Sequence, residues 1–435
     1  MKPNSGLFAD LQTRGLVKQV TDPGIADILD QRQLTVYAGF DPTSDSLHVG
    51  SLLPILTLRR FQQAGHRVIA VVGGATGMIG DPSGKSHERS LLNSDQLKLN
   101  LAGITTTLSH FLDLKGPNPV QIMNNADWFQ GVSYLDFLRD IGKHFTINHM
   151  TAKESIRARL EDREHGISYT EFSYMLLQSY DFYILNQREG CRLQVGGSDQ
   201  WGNITAGIEL IRRMRALPKY QGSSEEVFGL THPLVTKSDG GKFGKTEQGT
   251  LWLSPGKTSA YAFYQFFMQV ADVDIGSYLR YFSFLPIEEI KNFEHSLQME
   301  PEKRLAQRAL ARELTELVHG PAELSRVERA SQALFAAEIR ELDAQTLLEV
   351  MAGAPSTQKH GSTLDSGLPI VDLLVETTLC QSKGAARKDL TAGGIYVNNV
   401  RILEPAMLLK KSDLIAEKFI VLRKGKRTYH LIIFN

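Results

Sequence analysis

The sequence predicts an α/β protein whose main domain is a doubly wound parallel sheet, followed by a mostly helical segment and a small carboxy-terminal module. Three observations carry that reading. Between about Leu34 and Gln221, short apolar runs alternate with amphipathic segments, the pattern of a sheet covered by helices. From about Ser254 to Leu348 the strand pattern fades into long amphipathic helices such as Pro301 to Val318. Then Ala352-Gly-Ala-Pro-Ser-Thr-Gln-Lys-His-Gly-Ser-Thr, rich in small and polar residues, reads as a flexible linker ahead of Leu368 to Asn435. The expected boundaries are therefore 1–225, 226–350, a linker at 351–367, and 368–435.

Taken in order, Val36 to Phe40, Val68 to Val72, Val120 to Met123 and Leu193 to Val195 read as buried strands. Leu47 to Ala64, Tyr134 to Ile141, Phe172 to Leu185 and Ile204 to Met214 read as helices. Pro54 interrupts the first helix, because its nitrogen cannot donate to the carbonyl of Gly50, and should loosen the turn that holds His48. Sheets of this kind take ligands at the carboxyl ends of their strands. Every polar motif of the chain falls just after a strand or on a helix facing that edge.

Composition narrows the function classes. At 435 residues, with 42% hydrophobic and 22% charged side chains, the chain can bury a full core. Its formal net charge is zero, which argues against gripping nucleic acid through overall charge. The distribution is uneven: Cys380 to Asn435 holds 11 Lys and Arg against 4 Asp and Glu, a net +7 that leaves −7 on the remainder. A basic module on an acidic body is the footprint of a modular nucleic-acid binder. Cys191 and Cys380 stand alone, with no metal-ligand spacing, so neither a structural metal nor a disulfide framework is expected. No apolar run approaches the roughly 18 residues of a membrane span, and Met1-Lys-Pro-Asn-Ser-Gly lacks a secretory pattern, so a cytoplasmic location is expected.

Two short strings lie 194 residues apart: His48-Val-Gly-Ser, and Lys242-Phe-Gly-Lys-Thr in a glycine-bounded loop. The first sits where a strand passes through Asp41-Pro-Thr-Ser into a helix, whose first turn offers unpaired N–H groups to a phosphate. Gly50 should keep that turn open, and His48 can donate from its ring without a permanent charge. The second places the ammonium groups of Lys242 and Lys245 on a segment too glycine-rich to be rigid, which suits a transient pyrophosphate leaving group.

Gly73-Gly-Ala-Thr-Gly-Met-Ile-Gly-Asp-Pro-Ser-Gly-Lys-Ser imitates two phosphate-binding loops and matches neither. Ile79 stands where a P-loop needs its first Gly, and Ala75 and Thr76 break the dinucleotide register. The glycines instead let the chain turn after Val72 and aim Asp81 over the strand ends. In Tyr174-Met-Leu-Leu-Gln-Ser-Tyr-Asp, spacings of four and three put Tyr174, Gln178 and Asp181 on one helical face. A phenol hydroxyl is met well by a carboxylate and a second phenol, here Asp181 and Tyr37; an α-ammonium by Asp81, Tyr174 and Gln178. Gly-Gly-Ser-Asp199-Gln200-Trp repeats the strand, glycine turn and polar cluster: Asp199 can accept from ribose hydroxyls, and Gln200 can donate to a carboxylate or α-phosphate.

Together, Tyr37-Ala-Gly-Phe-Asp-Pro-Thr, His48-Val-Gly, Gly-Asp81-Pro-Ser, Thr170-Glu-Phe-Ser-Tyr-Met-Leu-Leu-Gln-Ser-Tyr-Asp-Phe, Gly-Gly-Ser-Asp199-Gln-Trp-Gly-Asn and Lys242-Phe-Gly-Lys-Thr closely resemble the bacterial tyrosyl-tRNA synthetases, a class I aminoacyl-tRNA synthetase family. The resemblance covers essentially the whole chain. It implies a Rossmann-type catalytic domain, a helical anticodon-side domain, and an α+β RNA-binding module similar to ribosomal small-subunit protein S-four, carrying Ser382-Lys-Gly-Ala-Ala-Arg-Lys-Asp-Leu. It also implies a homodimer that uses ATP with Mg²⁺, L-tyrosine and tRNA(Tyr). By similarity, Tyr37, Asp81, Tyr174, Gln178, Asp181 and Gln200 hold tyrosine. Gly39, Asp41, Thr43, His48, Gly50, Asp199, Gln200, Lys242 and Lys245 hold ATP or its transition state, with Thr43, His48, Lys242 and Lys245 assigned to catalysis. Lys383, Arg387, Lys388, Arg423 and Lys424 are the tail cations expected on tRNA.

Two departures stand out. Ser51 replaces the second His common at the end of the first signature, which weakens any ribose contact from there; the second signature, Lys-Phe-Gly-Lys-Thr, fits the tyrosyl branch. Three rivals remain: tryptophan activation, disfavoured because a buried Asp181 suits an indole edge poorly; a catalytically silent RNA binder; and a nicotinamide oxidoreductase, disfavoured by the broken glycine register.

Overall fold

The computed structural model describes residues 6–83, 92–161, 166–217, 220, 222, 224–241, 243–246, 249–333, 337–425 and 428–435. The chain divides into two compact units, Met1–Thr258 with Phe267–Leu314, and Ser259–Phe266 with Thr315–Asn435.

The first unit is built on a six-stranded sheet of β1 (Gln19–Val20), β2 (Thr35–Phe40), β3 (Arg67–Val72), β4 (Gln121–Asn124), β5 (Cys191–Gly197) and β6 (Phe228–His232), in the order β1-β6-β5-β2-β3-β4. β2 through β6 are parallel, and β1 closes one edge antiparallel to β6, so the sheet is mixed rather than purely parallel. From β2 the chain builds outward to β3 and β4, then returns on the other side with β5 and β6, leaving the switch in strand order between β2 and β5. The four expected strands are present. β1 is too short to show periodicity, and β6 is interrupted by Gly229, where a Cβ would lie 2.3 Å from Ile204 Cγ2. That glycine serves the close approach of the Trp201–Arg215 helix, so it reads in sequence as a break.

The Ser94–Phe111 helix was not among the expected elements. Asn93 caps it by accepting from the N–H of Gln96 at 2.8 Å, and Leu97, Ile104, Leu108 and Phe111 bury one stripe. The Tyr169–Glu189 helix is capped by Ser168, which accepts from the N–H of Glu171, and it ends at Gly190 with φ +60°. The first expected helix is corrected. Val49–Ser51 is a single 3₁₀ turn, and the α-helix runs Leu52–Gln63. Pro54 therefore occupies the first α-turn, where its missing N–H costs no helical bond, and it does not interrupt a helix.

In the second unit a five-stranded sheet has the order Val400–Ile402, Ile395–Val397, Phe419–Lys424, Thr428–Phe434, Ser356–Lys359. One face buries Ile395, Val397, Ile420, Leu422 and Ile432 against the Ile370–Glu376 and Lys383–Thr391 helices. The other buries Phe419, Val421 and Leu431 with Ile339, Leu347 and Met351. The expected linker at 351–367 is corrected: Ser356–Lys359 is an edge strand parallel to Thr428–Phe434. Its small, polar residues suit an edge strand that alternates between exposed and half-buried positions, and in composition that is indistinguishable from a linker. Among the described residues no helix is long and apolar enough to cross a membrane.

Candidate active site

The carboxyl ends of β2, β3, β4 and β5 deliver most of the expected side chains to one place. Tyr37 is 1% exposed, its ring 5.3 Å from that of Phe182, and its Oη has no hydrogen-bond partner among the described residues. Burial, then the nearby Asp181 carboxylate, push its pKa well above the ordinary phenol value, so it stays protonated. Asp181 is 4% exposed and accepts from Trp128 Nε1 at 2.8 Å and Asn125 Nδ2 at 3.2 Å. Burial lifts its pKa to about 7 despite those two donors. A buried phenol without a partner beside a buried carboxylate is a site built to bond one more hydroxyl.

From Asp181 the bonds continue. Asn125 Nδ2 also donates to Thr76 Oγ1 at 3.0 Å, and Thr76 Oγ1 donates to Asp41 Oδ1 at 2.7 Å. Tyr174 Oη donates to Asp41 Oδ2 at 2.7 Å, which leaves its oxygen lone pairs as acceptors; its pKa is raised first by burial and then by Asp41. Asp41, expected with the nucleotide, is thus tied to the phenol of Tyr174. Gly73 and Gly74 make room for this: a Cβ on Gly73 would lie 2.2 Å from Asp41 Oδ1, and one on Gly74 2.1 Å from Asn124 Oδ1. That is the structural reason for the glycine run that imitates a phosphate loop.

A second chain of bonds flanks the first. Gln200 Nε2 donates to Asp81 Oδ2 at 2.7 Å and Asp199 Oδ2 at 3.3 Å. Asn203 Nδ2 donates to Gln178 Oε1 at 3.0 Å and Gln200 Oε1 at 3.2 Å. Asp199 is pushed up by burial first, with Asp81 adding repulsion. Sequence reasoning missed Thr76, Asn125, Trp128 and Asn203. Of these only Trp128 left a signal, an indole in the polar run that follows β4.

The two signatures meet. His48 pairs with Trp252 as an isolated bridge, Val49 N–H donates to the Leu251 carbonyl at 2.9 Å, and Leu253 N–H to that of Leu47 at 2.9 Å. The expectation of free N–H groups around Gly50 is corrected. His48 Nδ1 accepts from Gly50 N–H at 2.9 Å, and Ser51 N–H donates to the His48 carbonyl at 2.8 Å. With Nδ1 accepting, the ring proton sits on Nε2, and the ring lies at the surface. A Cβ on Gly50 would lie 2.6 Å from the His48 ring, so glycine here seats the imidazole.

Lys242 lies outside the described residues. Lys245 is exposed and stands in a hairpin, Lys245–Thr246 against Gly249–Thr250. Phe243 anchors it, stacked at 5.3 Å on Phe282 and edge-on to Tyr278 at 5.0 Å. Gly244, at φ +79°, would place a Cβ 2.3 Å from Val49 Cγ1. Gly39 differs: a Cβ there meets nothing within 4 Å, leaving the end of β2 open to a ligand. Thr43, four residues on, is exposed. Among the described residues no group of three or more His, Cys, Asp or Glu is placed to hold a metal ion.

Of the tail cations, Arg387 and Lys388 are exposed on the Lys383–Thr391 helix. Lys383 pairs with Asp372 at 2.6 Å, Lys424 with Asp389 at 2.8 Å, and Arg423 lies 3.7 Å over the ring of Tyr396.

A family model described as tRNA synthetases class I (W and Y) matches residues 29–336, and one described as tyrosine–tRNA ligase SYY-like C-terminal domain matches residues 347–432. A tyrosine–tRNA ligase of Roseiflexus castenholzii is 50% identical over 428 residues, and one of Geobacillus kaustophilus 51% over 428, each alignment covering 98% of this chain and 99% of the relative. The solved structure of a C-terminally truncated mitochondrial tyrosyl-tRNA synthetase from Aspergillus nidulans matches with a TM-score of 0.68 and 31% identity, over 76% of this chain and 94% of that one.

Proposed function

The chain belongs to the bacterial tyrosyl-tRNA synthetase family of class I enzymes and is a tyrosine–tRNA ligase, and from that premise we propose how its own residues divide the work. Tyrosine's carboxylate attacks the α-phosphate of ATP, giving tyrosyl-adenylate and pyrophosphate; a terminal ribose hydroxyl of tRNA then takes the tyrosyl group. The attacking carboxylate is ionised at neutral pH, so activation needs no protein base, and the rate comes from positioning and from stabilising charge on the leaving phosphates.

Tyr37 and Asp181 read the substrate phenol; the observation that carries this is the Oη of Tyr37, buried beside Asp181 with no hydrogen-bond partner among the described residues. Tyr174 accepts from the α-ammonium, because its own proton is given to Asp41. Asp81, Gln178 and Gln200, joined through Asn203, complete the amino-acid end. Asp199 takes the ribose, Gly39 lets the nucleotide approach, Thr43 and the Nε2 proton of His48 face the phosphates, and Lys242 and Lys245 neutralise the departing pyrophosphate. ATP would enter as its Mg²⁺ complex, the ion supplying charge neutralisation on the phosphates.

The carboxy-terminal module grips tRNA(Tyr) chiefly through Arg387 and Lys388, since Lys383 and Lys424 are occupied by Asp372 and Asp389. The enzyme works in the cytoplasm as a homodimer. Tyr134, Leu135, Ile147 and Tyr169 are 61–75% exposed, and these apolar side chains are the ones a second copy would cover. Charging of tRNA(Tyr) with labelled tyrosine, alongside sedimentation of wild type and Leu135→Glu, tests the reading. The expected outcome is charging by a dimer that the variant splits; a charging-competent monomer would remove the dimer from the account.

A further inference from the structure

We propose that Asp45 and Lys257 form a latch that holds the stem of the lysine hairpin against the first signature, making Lys257 a positioning residue for amino-acid activation. The inference rests on the reading of the two signatures as the ATP-handling machinery, and it goes beyond that reading by naming what keeps them together.

The anchor end is Asp45. Asn100 Nδ2 donates to the Pro42 carbonyl at 2.9 Å, and a Cβ on Gly103 would lie 1.9 Å from the Asp45 carbonyl oxygen, so this loop is pressed onto the Ser94–Phe111 helix. The Asp45 carboxylate accepts from Ser44 Oγ at 3.0 Å and pairs with the Lys257 ammonium. Lys257 in turn lies 4.9 Å over the ring of Trp252, the residue bridged to His48.

The stem end is equally fixed. Lys257 and Thr258 N–H both donate to the Ser254 carbonyl, at 3.0 and 3.2 Å, and Trp252 N–H donates to Thr258 Oγ1 at 2.9 Å. One ammonium therefore serves a carboxylate and an indole face at once, from two backbones already ordered. An isolated exposed ion pair contributes little. Here the indole adds a cation–π attraction to the same ammonium. Lys245 stands between two anchors, Phe243 on Phe282 before it and Trp252 under Lys257 after it. Releasing the second anchor lets Lys245 drift from the leaving phosphates while the tyrosine pocket, which shares none of these contacts, stays intact.

The test uses the full-length enzyme in tyrosine-dependent ATP–pyrophosphate exchange, with Lys257→Met, Lys257→Arg and, as a control on the underlying reading, Lys245→Ala. Lys257→Met is expected to lower kcat for exchange roughly 10-fold, the order of loss that a small misplacement of a reacting group brings, with the KM for tyrosine and the Tm unchanged. Lys257→Arg keeps a cation that can both pair with a carboxylate and stack on an indole, and should recover most of the rate. Exchange by Lys257→Met within twofold of wild type, with Lys245→Ala inactive, overturns the latch alone. A fall in Tm with a matching rise in the tyrosine KM also overturns it, reducing the pair to a fold contact. Full activity in Lys245→Ala would instead fail the reading of the hairpin on which the latch depends.

Discussion

At the residue scale, the chemistry is that of a buried hydroxyl waiting for a partner. Replacing Tyr37 with Phe removes one hydrogen-bonding group and leaves the packing against Phe182 in place. The loss of one such bond is worth about 0.5–1.5 kcal/mol, so kcat/KM for tyrosine should fall up to roughly 10-fold while that for phenylalanine does not fall, narrowing the ratio. An unchanged tyrosine-to-phenylalanine ratio would remove Tyr37 from the recognition. Lys245→Ala should leave tyrosine affinity alone and slow adenylate formation roughly 10²-fold or more, as expected for a group that acts only as charge develops; single-turnover kinetics separates the two. Much of this site was legible because Tyr37, Asp81, Asp181 and Asp199 are unusual polar residues at strand ends or on an apolar helix. Asn125 and Asn203 were not, because a buried amide that satisfies its neighbours looks in sequence like any loop or helix asparagine. Their role exists only once β4 and the Trp201–Arg215 helix come within 3.2 Å of side chains distant in sequence.

At the element scale, glycines decide which pieces can touch. Gly244 combines φ +79° with a contact that admits no Cβ against Val49. Gly244→Ala should separate the hairpin from the first signature, lowering exchange by at least about 10-fold at unchanged tyrosine binding, with about 1–2 kcal/mol of strain added. Normal exchange would show that the two signatures act independently. The turn into β3 carries a different test. His66 is fully buried and accepts from Leu34 N–H through Nδ1, and its Nε2 has no partner among the described residues; burial lowers its pKa to about 4. The unfolded chain then binds a proton that the folded one refuses between about pH 6.5 and 4, so this stability is complete above pH 6.5 and is lost as pH falls towards 4. His66→Asn, which can still accept from Leu34, should flatten the pH dependence of unfolding there by up to about 1.4 kcal/mol per pH unit. Parallel slopes for the two proteins would contradict it. The sequence pattern gave the four main strands because they are continuous apolar runs, and it misplaced the first helix because Leu47 and Val49 satisfy a helical period while their backbones pair with the chain at Leu251 and Leu253.

At the scale of the whole molecule, amino-acid activation is proposed to need the catalytic unit alone, whereas transfer also needs the tRNA affinity of the basic module. The basic tail was legible as a charge imbalance; that the chain before it is a strand was not, since an exposed edge and a linker share one composition. Arg387→Glu with Lys388→Glu should leave pyrophosphate exchange near wild type, weaken transfer to tRNA by about 10-fold or more, and reduce the salt slope of tRNA binding by about 2. Loss of exchange in parallel would mean that these residues support the catalytic unit. Everything above turns on the pocket of Tyr37 and Asp181 working with the two meeting signatures to activate tyrosine. Amino-acid-dependent ATP–pyrophosphate exchange tests it most directly, run with tyrosine, tryptophan and phenylalanine on wild type and Lys245→Ala. The predicted result is exchange with tyrosine at a kcat/KM far above the other two, and its collapse in the variant. Comparable exchange with tryptophan, or undiminished exchange with tyrosine in Lys245→Ala, would contradict the account.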